Sequence, residues 1–132
     1  MCGIAGYKCF GRQRPYRDEI ERLLLGIEIR GTDATGIART IGKNNIEVIK
    51  SPNKASVFVK TELPEKAELS KCMIMHTRAA TQGLAKDNNN NHPIYSKEGV
   101  VLVHNGIINN DDVLFAKHSF VRDGLVDSEI IL

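Results

Sequence analysis

The chain opens Met1-Cys2-Gly3-Ile4. Removal of Met1 would leave a thiol and a free α-amino group on the same residue. That combination pairs a nucleophile with a built-in base. Four polar clusters follow at places where strands or helices end. They are Arg30-Gly31-Thr32-Asp33-Ala34-Thr35-Gly36, His76-Thr77-Arg78-Ala79-Ala80-Thr81-Gln82-Gly83, His104-Asn105-Gly106-Ile107-Ile108 and Asp127-Ser128-Glu129. Each also has an ordinary structural reading. The first could be a helix end with an Asp turn, and Asn105-Gly106 suits a tight turn. Asp127 could cap a final helix. Cys72 and His76 stand at a spacing a metal could use, but no second pair accompanies them, so no metal is expected.

The elements that must position these clusters are legible in outline. Gly3 to Phe10 alternates as a strand, and Gly11 to Arg17 is a turn. Asp18 is placed to cap a helix whose apolar stripe is Ile20, Leu23, Leu24 and Ile27, ended by Gly31. Gly36 to Ile41 and Ile46 to Lys50 flank the hairpin signal Gly42-Lys43-Asn44-Asn45. Ala55 to Thr61 has the length of a short helix, although Val57, Phe58 and Val59 also suit a strand. Lys71 to His76 is a buried strand in which Cys72 is expected to act as a small core hydrophobe. A polar loop from Ala80 to Asn91 leads to a short strand at Tyr95, a turn at Lys97-Glu98-Gly99 and a strand from Val100 to His104. Asn109-Asn110-Asp111-Asp112 offers caps for a helix through Phe115 and Ala116, and Asp127 to Leu132 begins another. Some six strands and two or three helices, without a βαβ rhythm, predict an α+β fold.

Composition narrows the function. The net charge is +2 and the basic residues are scattered, with no run interleaved with aromatics, so nucleic acid is not an expected partner. No apolar stretch is long enough to span a bilayer and no secretory pattern opens the chain, so the expected setting is cytoplasmic, without a membrane partner. Three cysteines, Cys2, Cys9 and Cys72, are an odd and irregular set, which argues against a disulfide framework.

Cys2 and the four clusters together resemble the glutaminase domain of the class II glutamine amidotransferases, nearest to the domain at the front of the sugar-phosphate synthases. The likeness runs from Cys2 to the end of the chain in family order. It implies an N-terminal-nucleophile hydrolase fold, a four-layer αββα sandwich with two stacked antiparallel sheets. Residues 1–132 would form the N-terminal part of that domain. It also implies roles. Cys2 would attack the side-chain amide of L-glutamine, its α-amino group serving as base and then acid. Asn105 and Gly106 would donate to the developing oxyanion. Arg78 would hold the α-carboxylate through its planar fork. Asp127 would hold the α-ammonium, and Thr81 would line the same pocket. Arg30, Asp33 and His76 would support these groups, and His76, His92 and His104 would be structural hydrogen-bonders. His118 reads as a surface residue. No cofactor is implied.

Two departures stand out: Ala79 replaces a Trp usual in the family, and Gln82 replaces a frequent His. The family domain is also longer and is followed by an acceptor domain. The chain is therefore expected to expose sheet edges and apolar surface, and to need an acceptor domain, a complementary C-terminal segment or self-association. Two other functions stay open. One is a non-catalytic glutamine-binding or accessory module. The other is a cysteine amide hydrolase acting on a different acyl amide, which would not need the paired charges of Arg78 and Asp127.

Overall fold

The computed structural model describes residues 1–43, 45–81 and 83–132. Its first sheet is built from β1 (Gly3–Lys8), β2 (Ala34–Ile41), β3 (Asn45–Ser51) and β4 (Cys72–Arg78), in the order β1-β4-β2-β3. All three pairings are antiparallel. Helices α1 (Arg17–Glu28) and α2 (Ala55–Thr61) lie between these strands in sequence, and α3 (Asp111–His118) follows β5 (Ile94–Tyr95) and β6 (Val101–Leu102). β5 and β6 form a second antiparallel sheet. The fold is α+β with two antiparallel sheets, as the sequence predicts.

Residue alternation along β4 separates two faces. Met73, Met75 and Thr77 point one way and join Ile37 from β2. Ile20 and Leu24 of α1 and Ala55 and Phe58 of α2 pack on them, each fully buried. This is the apolar core, and its amphipathic source is the stripe on α1. Leu23, expected in that stripe, is more than a third exposed. The two helices are also joined by charge: the Glu28 carboxylate accepts from the Ser56 N–H in the first turn of α2.

Cys72, Ile74, His76 and Arg78 point to the opposite face, with Ala34, Gly36 and Ala38 beside them in register. The small β2 residues let the chain at His92-Pro93 lie directly on the sheet. A Cβ on Gly36 would fall 2.1 Å from the His92 carbonyl oxygen. The His92 ring sits 4.6 Å from the His76 ring, centroid to centroid. One face of the sheet thus meets helices, and the other meets the segment that leads into β5.

Several expectations change in detail. Asp18 lies inside the first turn of α1 and pairs with Arg22 at 2.5 Å; the helix instead starts at Tyr16, whose N–H donates to Glu19 at 2.7 Å. Gly31 is buried because a Cβ there would meet the Arg78 carbonyl carbon at 2.4 Å, so it serves close packing rather than helix termination. Cys72 is half-buried, because the core stripe of β4 runs through Met73 and Met75 instead. The strand expected over Val100 to His104 is paired only at Val101–Leu102, since β5 offers two residues to pair with. Asn44 and Gln82 lie outside the described residues. Ala55–Thr61 is helical, which resolves that ambiguity.

Tyr95, Phe120 and Val121 are exposed around a groove of about 1050 Å³ that contains none of the candidate site residues. No helix among the described residues is long and apolar enough to cross a membrane.

The contact at Gly36 generates a stability prediction. Gly36→Ala should destabilise the fold by about 1–3 kcal/mol, the scale of overpacking, because the obstacle is backbone rather than a movable side chain. Urea unfolding of both proteins measures this; equal midpoints would mean the two layers are not in close contact.

Candidate active site

The site gathers where β1 begins, β4 ends and β2 begins. Gly3 pairs with Thr77, so Cys2 stands one step beyond, opposite Arg78, on the face away from the helices. Two hydrogen bonds place the Cys2 sulfur. The Ala79 N–H donates to Sγ at 3.4 Å, and Sγ lies 3.7 Å from the Ala79 carbonyl oxygen. Cys2 is half-buried, with one side open to solvent.

The backbone of Cys2 is held at both ends. Its N–H donates to Asn105 Oδ1 at 3.1 Å, and its carbonyl accepts from Arg30 Nε at 2.9 Å. Because Cys2 N is a donor, the Asn105 oxygen must face it, and the amide nitrogen must face away. Asn105 and Gly106 are both exposed. Asp33 acts from the start of β2. Its N–H donates to the Arg78 carbonyl at 2.9 Å, and its carboxylate accepts from Ala80 N–H at 2.8 Å. Arg30 and Asp33 therefore brace the start of β1 and the loop after β4 without lying in the core.

Arg78 is 4% exposed. Its guanidinium donates to Asn91 Oδ1 at 2.9 Å and to the Gly83 carbonyl at 3.2 Å. Burial lowers its pKa; the nearby Cys2 and Asp33 oppose that shift. Asn91 is itself fixed, donating to the Ala85 carbonyl at 2.7 Å and to Asn88 Oδ1 at 3.0 Å. The neighbouring Asn90 is buried and accepts from Leu125 N–H at 2.7 Å. The Asn run is thus a cross-link between the loop holding Arg78 and the segment leading to Asp127. Sequence reasoning treated it as loop. The usable signal was that Asn side chains bond to nearby backbone, four of them in a row directly before His92-Pro93.

Asp127 is 8% exposed and accepts from Ile108 N–H at 2.5 Å and from the Ser128 hydroxyl at 3.1 Å. It does not cap the last turn, a short 3₁₀ stretch over Asp127–Ile131. Thr81 is exposed on the loop after β4. Of the histidines, His76 bonds through Nε2 to the His104 carbonyl at 3.1 Å, and His104 through Nδ1 to Ser128 Oγ at 2.9 Å. His92 departs from expectation: it is buried with both ring nitrogens unpartnered among the described residues. Its ring is held by packing on His76 and beneath β2, not by hydrogen bonds. His118 is exposed at the end of α3 beside Phe120.

The buried pair generates a pH prediction. Burial is the largest cause holding His76 near 4 and His92 near 3, against about 6.5 when exposed. The positive charge of Arg78 and the His104 ring push both down further; His76 and Lys50 add to this at His92, while the bond to the His104 carbonyl partly offsets it at His76. Below about pH 6.5 the unfolded chain binds these protons and the folded chain does not, so stability falls as pH falls. Each ring should remove up to about 1.4 kcal/mol per pH unit down to its folded pKa. Urea unfolding from pH 7 to pH 4 should show this slope, and His92→Phe should reduce it. A slope unchanged by that substitution would contradict the assignment.

No family model matches the chain. Comparison with curated proteins finds the isomerizing glutamine–fructose-6-phosphate aminotransferase of Tropheryma whipplei (strain Twist). It is 38% identical over 116 residues, covering 86% of this chain and 18% of the relative. The same enzyme of Wigglesworthia glossinidia brevipalpis is 35% identical over 138 residues, covering 99% of this chain and 21% of the relative. That of Bacteroides thetaiotaomicron is 35% identical over 136 residues, covering 100% and 21%. The chain spans about a fifth of the length of these relatives. Matched over nearly its whole length to these enzymes, the chain is similar to the class II glutamine amidotransferases, in the part that corresponds to their glutaminase domain.

Proposed function

We propose that the chain hydrolyses L-glutamine to glutamate and ammonia, with Cys2 as N-terminal nucleophile, and that the ammonia passes to an acceptor site on another domain or partner. The observation that carries this reading is the 3.1 Å bond between Cys2 N and Asn105 Oδ1, with the Cys2 sulfur beside the Ala79 N–H. It joins the nucleophile's own nitrogen to an oxyanion-type donor through one side chain. The relatives are glutamine-dependent by name, which supports the same substrate here.

In this reading Met1 is removed and Cys2 N becomes a free amine. The amine takes the thiol proton as sulfur bonds to the glutamine side-chain carbonyl carbon. The carbonyl oxygen gains negative charge, and Asn105 Nδ2–H and Gly106 N–H donate to it. Collapse breaks the carbon–nitrogen bond, and the Cys2 ammonium gives its proton to the leaving ammonia. Water then hydrolyses the thioester and releases glutamate. Arg78 would bind the substrate carboxylate and Asp127 its ammonium. Both are buried charged groups with fixed partners, so little side-chain entropy is lost on binding. A substrate lacking those charges would gain nothing from either, which disfavours other acyl amides.

Cys2→Ala should abolish glutamine hydrolysis and leave folding intact. A glutamine-analogue electrophile should label Cys2, and mass spectrometry of the purified chain should find Cys2 at its N-terminus. A label on Cys9 or Cys72, with activity surviving Cys2→Ala, sinks the mechanism. A chain that keeps Met1 and binds glutamine without turnover is an accessory module instead.

Two substitutions separate binding from catalysis. Arg78→Lys keeps the charge but loses the fork, so glutamine binding should weaken by about 1–3 kcal/mol. Asn105→Ala should lower kcat by about a hundredfold or more and change KM little, because its donor acts on the transition state. An effect of Asn105→Ala on KM alone would remove it from the oxyanion hole.

A further inference from the structure

The segment from His104 to Ile108 is clamped at both ends by two adjacent residues, Asp127 and Ser128. At one end His104 Nδ1 lies 2.9 Å from Ser128 Oγ. At the other end Ile108 N–H donates to Asp127 Oδ2 at 2.5 Å. Ser128 closes the circuit by donating to Asp127 Oδ1 at 3.1 Å. Asp127 and Ser128 are both buried, at 8% and 1% exposure, while Asn105, Gly106 and Ile107 between the clamped ends are exposed.

The chemistry of the partners assigns the protons. A carboxylate oxygen accepts, so the single Ser128 hydroxyl proton goes to Asp127. What Ser128 offers His104 is a lone pair, so His104 carries a proton on Nδ1 and donates it to Ser128. A carbonyl also only accepts, so His76 Nε2–H donates to the His104 carbonyl across 3.1 Å. The His104 ring and backbone are therefore held separately. Its Nε2 lies 2.5 Å from where a Cβ on Gly106 would stand, so the ring packs against the Gly106 backbone and limits where that N–H can point.

We propose that Ser128 and His104 are positioning residues that aim the Asn105 and Gly106 donors, and that they couple this aim to the carboxylate receiving the substrate's ammonium. The inference rests on the glutaminase reading above and deepens it. The Asp127 carboxylate that would meet the ammonium is also the acceptor for Ile108 N–H and Ser128. A substrate that engages it acts on both ends of the oxyanion segment. Glutamine would thus be selected in turnover as well as in binding.

The test uses the full 132-residue chain, labelled with ¹⁵N. Long-range ¹H–¹⁵N spectra should find His104 protonated at Nδ1. Ser128→Ala should shift the Gly106 N–H and Asn105 side-chain amide resonances and lower kcat for glutamine about tenfold or more, with a smaller change in KM. Ser128→Thr, which keeps the hydroxyl, should restore the resonances and the turnover. A His104 ring without a proton on Nδ1 in the unmodified chain overturns the clamp, and this reading needs no variant to fold. Unmoved Gly106 and Asn105 resonances in folded Ser128→Ala overturn it equally. An unmodified chain that does not hydrolyse glutamine but gives the expected spectra supports the clamp and removes the glutaminase reading instead.

Discussion

The antiparallel register between β1 and β4 is the constraint on which the rest depends. It pairs Gly3 with Thr77 and so stands Cys2 opposite Arg78. A slip of one residue would turn every side chain of β1 to the other face and send Cys2 toward the helices. The register is enforced on the core side. Gly3 leaves no room for a Cβ against Thr77 Oγ1 at 2.5 Å and the Ile27 carbonyl at 2.6 Å, and Thr77 Oγ1 donates to that carbonyl at 2.7 Å. A larger residue brought to this place by a slip would collide with backbone. The close packing of α1 on β1 and β4 therefore sets the position of Cys2.

The two faces of the first sheet divide the labour. The helix face is closed by Ile20, Leu24, Phe58, Met73 and Met75. The other face is polar at one end, with His76 and Arg78 buried under the segment through Asn91 and His92. Burying charge and imidazole is costly unless partners are supplied. Arg78 has its partners in Asn91 and Gly83, whereas His92 has none and stays neutral. The lowered pKa values of His76 and His92 and the fixed position of Arg78 come from one buried polar layer.

That layer is held by side chains distant in sequence. Asn91 holds Arg78, Asn90 holds Leu125 N–H, and Asn88 donates to the Lys50 carbonyl at 3.1 Å. Residues 88–91 thereby join the end of β3, the loop after β4 and the approach to Asp127. Three side chains of this four-residue run reach three different parts of the chain, so the site is cross-linked although much of it is loop.

The sequence by itself determined the α+β class, because apolar patterning is a local property: the stripe on α1 and the apolar run of β4 are each written in a few residues. It also marked Cys2, Arg78, Asn105 and Asp127 as a set, through the resemblance of its motifs to the class II glutamine amidotransferases. What only the tertiary structure decided is which groups meet. Asp127 reads locally as a helix cap, yet its carboxylate accepts from Ile108, nineteen residues earlier in the chain. Gly31 reads as a helix stop, yet its reason is the Arg78 carbonyl. The Asn run reads as loop, yet it cross-links the site. Hydrogen bonds between residues far apart in sequence leave no periodic trace, because either partner alone is satisfied equally well by water or by a nearby turn.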